Sequence, residues 1–249
     1  MPRSPRADEA GGLYHALNPG TLRATIFHKQ EDYVAFEKIL HEALEFHKIE
    51  LYSYLLMLNH YHIVLRPLVD GEMSRFMGWV GGTHTMRYHA HYHTSGMGHD
   101  YQQRYKSFPI QDDDHFFVVC RYVERNAPRS GLVANAENWC WSSLWRWLQA
   151  NEPAPRLLSK WPSPRLPNWV NLVNEPLSEK ELLARFASTW GWDRATSPAR
   201  SVCRVIPAGA KTIAVAGRTA DSWGASTIRC SRYAIRSSLA SPRPNTTIR

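Results

Sequence analysis

Two stretches of the chain carry the tripeptide His-Tyr-His, LNHYHIVLRP at 58–67 and HAHYHTSGMG at 89–98. Imidazole nitrogens are common metal ligands, so each pair is a candidate metal site. In a strand, side chains at i and i+2 share one face at a separation of roughly 7 Å. In a helix the same two positions diverge by about 200°. Two histidines at this spacing therefore share one metal ion only from an extended backbone.

The sequence context separates the two pairs. His60 and His62 precede the β-branched apolar run IVL, which predicts a strand, whereas His91 and His93 follow a helical pattern. We therefore expect only the first pair to converge on a cation. Two strand histidines with no metal give the same pattern, and two imidazoles need a third ligand from elsewhere.

A second candidate group lies in residues 112–128, DDDHFFVVCRYVERNAP, whose periodicity predicts a helix. Tyr122 and Asn126 are four residues apart, so they lie one turn apart on the same face. A phenol beside a metal-bound amide oxygen could attack a phosphate in line. An ordinary core tyrosine and a polar residue near a helix end would give the same pattern.

The remaining pattern describes the scaffold that must position these residues. Helices are predicted at 31–47, at 71–93 and at 141–148, the last with Ser142 as its N-cap. Strands are predicted at 13–18, 23–27, 50–58, 60–67 and 104–111. Strands and helices interleaved as ββαββα predict an α+β fold, an antiparallel sheet with helices packed on it.

LNHYHIVLRP, followed about 60 residues later by RYVERNAPRSGLV, resembles the IS200-like single-tyrosine HUH transposases, and most of all their REP-associated branch. The resemblance runs over about 11–147, through QQRYKSFPIQDDDH to NWCWSSLW, with the motifs in consistent order. It implies a ferredoxin- or RRM-like sheet with the histidine pair on a central strand. Pro19 and Ala127 depart from the family pattern, which commonly has Arg and Pro there.

The resemblance also implies roles for the candidate residues. Tyr122 matches the nucleophile, and His60, His62 and Asn126 match the ligands of a divalent cation, Mg²⁺ or Mn²⁺. The implied reaction is cleavage and rejoining of single-stranded DNA at hairpin-forming repeats or transposon ends, through a 5′-phosphotyrosine link. The alternative is a decayed or domesticated module that only binds hairpin DNA. A rolling-circle initiator and a zinc hydrolase are further readings, and the protein is expected to be a monomer or a homodimer.

Basic residues near these motifs are candidate DNA-backbone contacts. Three of them, on or just past the helix at 112–128, form the best group, and the other three lie on or near predicted strands. Together they are Arg66, Arg104, Lys106, Arg121, Arg125 and Arg129. Trp139, Trp141, Trp145 and Trp147 could stack bases, although such clusters more often pack in a core.

Charge divides the chain unevenly. Residues 189–249 hold 10 of the 30 basic residues and 2 of the 22 acidic ones, a net of +8, so the other residues hold 20 of each and carry no net charge. We therefore expect a nuclease domain at 1–150, an extension at 151–188 and a basic tail of low order at 189–249. No apolar run is long enough for a membrane span, and no secretory signal is recognised. A soluble protein of the bacterial cytoplasm, acting on nucleoid DNA, is expected.

Overall fold

The computed structural model describes residues 7–96, 98–102, 104–111, 113–149 and 156–176. The predicted basic tail at 189–249 lies outside them. The described residues form four strands and five α-helices. The strands are β1 (Leu13–Pro19), β2 (Ile49–Met57), β3 (His60–Pro67) and β4 (Lys106–Ile110). The helices are α1 (Gln30–Phe46), α2 (Glu72–Tyr92), α3 (Asp113–Arg129), α4 (Ser143–Leu148) and α5 (Trp169–Asn174).

The four strands form one antiparallel sheet in the order β2-β3-β1-β4. The two inner strands are therefore β3, which carries His60 and His62, and β1. Their register places Pro19 opposite His60 and Leu17 opposite His62. The predicted α+β class is confirmed, with a four-stranded antiparallel sheet covered by helices.

Before α3, the element order differs from the prediction at one place. Residues 23–27 were expected to form a strand, but Thr21–Arg23 is a short 3-10 helix and the next residues have no strand partner. The N–H groups of Ile26 and Phe27 both donate to the carbonyl of Leu58, at 2.9 and 3.1 Å. Both side chains are buried, so packing under the β2–β3 turn determines the conformation of this segment. The order before α3 is therefore βαββαβ.

The two faces of the sheet carry different helices. On one face Tyr61 meets Phe36 of α1, with 4.8 Å between their ring centroids. On the other face His62 meets Tyr122 of α3. Because strand side chains alternate, the apolar side chains of β3, such as Tyr61, face α1 and α2, whereas its two histidines face α3.

Side chains cap the first turns of α1 and α4, and the end of α3 differs from the sequence prediction. Asp32 accepts hydrogen bonds from the backbone N–H groups of His28 and Lys29 before α1, and Ser142 Oγ accepts from Trp145 N at α4. Pro128 was expected to end α3. The helix instead continues to Arg129, because proline removes only its own N–H while Ser130 N still donates to Asn126 O at 3.0 Å.

Residues 156–176 pack against the sheet and α3. Ser159 N donates to Leu51 O at 2.8 Å along the outer edge of β2, and Trp161 Nε1 donates to Tyr52 O at 2.8 Å. Trp169 is almost fully buried, and its Nε1 donates to Glu124 at 2.8 Å. The described part of the extension predicted at 151–188 therefore completes the core of the preceding residues.

A helix that crosses a bilayer needs about 20 mostly apolar residues. The longest described helix is α2, with 21 residues, and it carries Glu72 and two arginines. Among the described helices, none combines the length and the apolarity that a membrane span needs.

Candidate active site

His60 and His62 lie on the same face of β3, as the sequence predicts. Their ring centroids are 5.0 Å apart and the rings are almost perpendicular. Tyr61, between them, points to the opposite face and is fully buried. The strand therefore presents two imidazoles side by side to α3.

His60 is held by its neighbour in the β2–β3 turn. Its Nδ1 lies 2.6 Å from Asn59 Oδ1, and Asn59 Nδ2 donates to the backbone carbonyl of Arg23 at 3.1 Å. The amide oxygen of Asn59 is thus the acceptor, and Nδ1 of His60 carries the proton. Burial, and secondarily the charge of Arg23, lowers the pKa of His60 to about 4, so the ring is neutral near pH 7. The lone pair of a neutral ring protonated on Nδ1 is on Nε2, the form in which an imidazole binds a cation.

His62 is held by a third histidine that the sequence analysis missed. Nε2 of His15, on β1, lies 2.9 Å from Nδ1 of His62, and both rings are buried. The rings are stacked, with 5.2 Å between centroids. If Nδ1 of His62 donates, His15 accepts and Nε2 of His62 keeps its lone pair. A single histidine in a strand gives no spacing signal, but the alternation of β1 does place His15 and Leu17 on one face.

Tyr122 lies against this histidine pair. Its ring centroid is 5.8 Å from that of His62 and 6.2 Å from that of His15, and both contacts are edge-to-face. The side chain is half-buried, so the ring is fixed by packing while part of it reaches the surface. The guanidinium of Arg129 lies 5.9 Å from the same ring. The predicted nucleophile and both predicted histidine ligands are therefore brought together.

Asn126 follows Tyr122 by one helical turn and is buried. Its amide nitrogen donates to the carbonyls of Tyr122, at 3.0 Å, and Val123, at 3.4 Å. Because only the NH₂ group can donate to carbonyls, these bonds assign the amide orientation and leave Oδ1 as the acceptor end of the amide. An amide oxygen is a suitable ligand for a hard divalent cation.

Imidazole nitrogen and amide oxygen, the donor types of His60, His62 and Asn126, are both known ligands of divalent cations. His60 and His62 each have Nδ1 held by a neighbour, and an orienting partner of this kind is usual for metal-bound histidine. In the part of the chain that the structure describes, no cluster of three His, Cys, Asp or Glu side chains is placed to hold an ion. Asn126 as the third ligand stays a prediction from the sequence. Such a mixed set suits Mn²⁺ better than Mg²⁺, which prefers oxygen alone.

Two predicted DNA contacts lie close to this face. Arg129 is exposed at the end of α3 and contacts the ring of Tyr122. Lys106 is exposed on β4, and the register aligns it with Leu17 of β1 and, beyond it, His62 of β3. Partners across a sheet share a face, so Lys106 lies about 10 Å from the His62 backbone on the same side.

Arg121 and Arg125 have partners that the sequence did not suggest. Arg121 donates to the carbonyl of Leu172 at 2.6 Å and also reaches those of Glu175 and Pro176. Arg125 donates to the carbonyls of Val173 and Asn174. Their guanidinium groups thus satisfy carbonyls at the end of α5, a role for basic residues at helix C-termini. Their proposed contact with DNA stays a prediction.

Arg66 and Arg104 lie away from the tyrosine. Arg66 is on the same face of β3 as His62 but four residues further, about 13 Å along the strand. It pairs with Glu50 at 3.5 Å and lies over the ring of Tyr52. Arg104 lines a cavity with Asn18 and α2, on the opposite face of the sheet. Neither is brought together with Tyr122.

The second His-Tyr-His lies where the sequence analysis expected, on a helix. His91 is in the last turn of α2, and His93 follows its end with a left-handed backbone, φ 54°. Nε2 of His91 lies 2.7 Å from Lys29 Nζ. Among the residues that the structure describes, these histidines belong to no group of three His, Cys, Asp or Glu side chains that could hold a metal ion.

Part of the chain is similar to known proteins. Residues 11–126 match the model of the family described as IS200-like transposases. A solved REP-associated tyrosine transposase bound to a REP hairpin aligns with 67% of this chain and 99% of its own, at 16% identity and a TM-score of 0.49. A candidate transposase from Deinococcus radiodurans R1 aligns with 49% of this chain and 95% of its own, at 16% identity and a TM-score of 0.36. No curated protein matches the sequence.

Proposed function

We propose that this chain, whose residues 11–126 match the IS200-like transposase family model, cleaves and rejoins single-stranded DNA with Tyr122 as nucleophile. The family match supports the general activity, DNA transposition. The finer proposal is a metal-dependent strand transferase that acts beside DNA hairpins. The observation that most supports it is the edge-to-face contact between the rings of Tyr122 and His62. The ring of His62 in turn contacts that of His60.

The proposed reaction is a balanced exchange of phosphodiester bonds. The Tyr122 oxygen attacks the phosphorus, the bond from phosphorus to the 3′-oxygen breaks, and the phenolic proton is lost as the 3′-oxygen gains one. The products are a 5′-phosphotyrosine and a free 3′-OH. In the second half, a 3′-OH attacks the phosphotyrosine and restores the phenol. No external energy source is needed, because one phosphoester replaces another at each stage.

The side chains around Tyr122 have distinct parts in this proposal. His60, His62 and Asn126 would hold Mg²⁺ or Mn²⁺, which would neutralise charge on the scissile phosphate. His15 orients His62 through the bond between their rings. Arg129, beside the tyrosine ring, is placed to bind a neighbouring phosphate. Lys106 would bind the strand further along the same face.

Covalent trapping tests the proposal directly. The protein is incubated with a 3′-end-labelled library of hairpin oligonucleotides bearing single-stranded flanks, with Mn²⁺ or Mg²⁺, and separated on a denaturing gel. We expect a metal-dependent labelled band of protein size that Tyr122→Phe abolishes. Tyr88→Phe, a tyrosine of α2 on the other face, is the matched control and keeps the band.

Two other results would each replace the proposal. Hairpin binding without any adduct in the wild-type protein would favour a module that only binds DNA. Cleavage that survives Tyr122→Phe would show hydrolysis by a metal-bound water, with the tyrosine as a bystander.

A further inference from the structure

A cavity of about 740 Å³ lies on the flank of α3 away from Tyr122. It is bounded by the end of α4 and by residues 156–165. Arg165, which lines it, approaches Glu124 of α3 with 3.8 Å between Nη2 and Oε1. Positions 122 and 124 of a helix point about 200° apart, so α3 itself separates this cavity from the candidate active site.

The cavity is built around a stacked arginine. The guanidinium of Arg165 lies 4.3 Å from the ring centroid of Trp147 and 4.0 Å from that of Trp161. Trp161 is buried and anchored to β2, whereas Trp147 is 45% exposed. The indole of Trp147 thus covers the arginine with one face and presents surface to solvent elsewhere. An exposed aromatic ring beside cations is the usual platform for an unpaired base.

The charge of the lining is one-sided. Arg146, Arg156, Lys160 and Arg165 line the cavity, and no Asp or Glu is among the described lining residues. Arg146 is already paired with Glu37 at 3.0 Å, whereas Arg156 and Lys160 are exposed. Nη1 of Arg165 is buried and has no hydrogen-bond partner in the described part of the chain. The cavity therefore offers positive charge and an unsatisfied donor to an anion.

The lining is held in place before any ligand arrives. Ser159 is bonded to Leu51 through its backbone N–H and its Oγ, at 2.8 and 3.2 Å, and Trp161 is bonded to Tyr52. These bonds attach the segment to the edge of the sheet. A preorganised site loses less conformational entropy on binding than a mobile one.

We infer that this cavity binds one nucleotide of a single DNA strand, with its base stacked on Trp147 and its phosphate against Arg156, Lys160 and Arg165. The inference rests on the proposed function for the identity of the strand as DNA. Because α3 lies between the cavity and Tyr122, the bound nucleotide lies outside the cleaved linkage. The cavity thus contributes to holding the flank of the substrate and takes no part in the chemistry.

Binding measurements on the full chain carrying Tyr122→Phe test this without requiring cleavage. Fluorescence anisotropy gives Kd for a hairpin with single-stranded flanks and for the same hairpin without them. Trp147→Ala is expected to weaken binding of the flanked hairpin about tenfold, from the loss of one base stack. Arg156→Ala with Lys160→Ala is expected to reduce the slope of log K against log salt by about 1.4, from two single-strand phosphates.

The controls match each change in type. Phe46→Ala removes an exposed aromatic ring of α1, and Lys38→Ala removes an exposed charge of the same helix. Trp147→Leu, which still covers Arg165, replaces the alanine variant if the latter lowers Tm. Cavity variants that bind the flanked hairpin with the Kd and salt slope of these controls would overturn the inference.

The two proposals fail separately. Loss of affinity in the cavity variants, with no covalent adduct in the wild-type protein, would support the cavity and refute the strand transferase. An adduct in the wild-type protein, with unchanged affinity in the cavity variants, would support the strand transferase and refute the cavity.

Discussion

Nε2 of His15 lies 2.9 Å from Nδ1 of His62, and the two rings are stacked 19° from parallel. The contact crosses from β1 to β3 within the sheet, so the first strand of the domain fixes the orientation of an imidazole 47 residues later. A histidine whose Nδ1 is held in this way presents Nε2 in a defined direction. His15 therefore acts through His62 as a positioning residue.

Replacing His15 tests that role. His15→Ala is expected to lower Mn²⁺ affinity about 10- to 100-fold, the usual effect of removing an outer partner of a metal-bound histidine. Isothermal titration with Mn²⁺ measures the affinity without DNA and without turnover. His15→Gln, whose amide oxygen can accept from His62, is expected to restore most of it. Equal Mn²⁺ affinity in the wild-type and alanine proteins would show that His15 only fills space.

The arginines of α3 are expected to separate into two classes. Arg129→Ala should weaken DNA binding and reduce the salt slope by about 0.7, because one phosphate contact is lost. Arg121→Ala should leave the slope unchanged and instead expose the amides near α5, since its guanidinium holds the carbonyls of Leu172 and Glu175. Anisotropy at several salt concentrations and hydrogen exchange distinguish them. A reduced salt slope in Arg121→Ala would contradict this prediction and show that Arg121 contacts DNA.

Glu124 is expected to dominate the stability of the C-terminal packing. Its carboxylate is fully buried and accepts from Ser143 Oγ at 2.7 Å and from Trp169 Nε1 at 2.8 Å. Glu124→Ala leaves these donors and the charge of Arg165 unpaired, so we expect a loss of about 3–5 kcal/mol in the free energy of unfolding. Glu124→Gln, which keeps one acceptor oxygen, should lose less. Urea unfolding measures both, and a loss below about 1 kcal/mol in the alanine variant would contradict this account.

The free energy of unfolding is expected to fall in moderately acidic solution, because a histidine that is buried and neutral in the folded protein takes up a proton when the chain unfolds. Burial, opposed by the charge of Asp32, lowers the pKa of His84 to about 4 from its ordinary 6.5. Between these values the unfolded chain binds the extra proton and the folded chain does not. The free energy of unfolding is therefore unaffected by this group above pH 6.5 and decreases as the pH falls towards 4.

The variant His84→Gln isolates that component. We expect it to reduce the pH slope of the unfolding free energy between about pH 4 and 6.5, whereas the contribution of His60, which is shifted in the same direction, remains. Urea unfolding at a series of pH values between about 4 and 7.5 gives the slope. His91→Gln removes an exposed histidine and is the matched control. An unchanged slope in His84→Gln would refute the assignment.

The sequence predicts much of the site because strand and helix periodicities are local. Alternation alone places His60 and His62 on one face of β3, and helical spacing alone places Tyr122 above Asn126. The packing of these two elements against each other is long-range, yet it follows once α3 must cover the face that carries the histidines.

The features that the sequence did not predict depend on contacts between residues that are distant in the chain. Residues 23–27 have a strand-like composition, but their N–H groups bond to Leu58, and no local rule predicts that partner. His15 needs the β1–β3 register before it meets His62. The contacts of Arg121 and Arg125 with Leu172 and Val173 join residues about 50 positions apart, and no local pattern predicts them.

The bond between Ser159 and Leu51 has a consequence for how the protein is made. A strand at the margin of a sheet, if left bare, is a template on which other chains can add. β2 is apolar and almost wholly buried in the finished protein. During synthesis it emerges from the ribosome about a hundred residues before the segment that covers its margin. A nascent chain that ends near residue 150 therefore leaves the edge of β2 at Leu51 exposed. We expect such truncated products to aggregate or to bind chaperones.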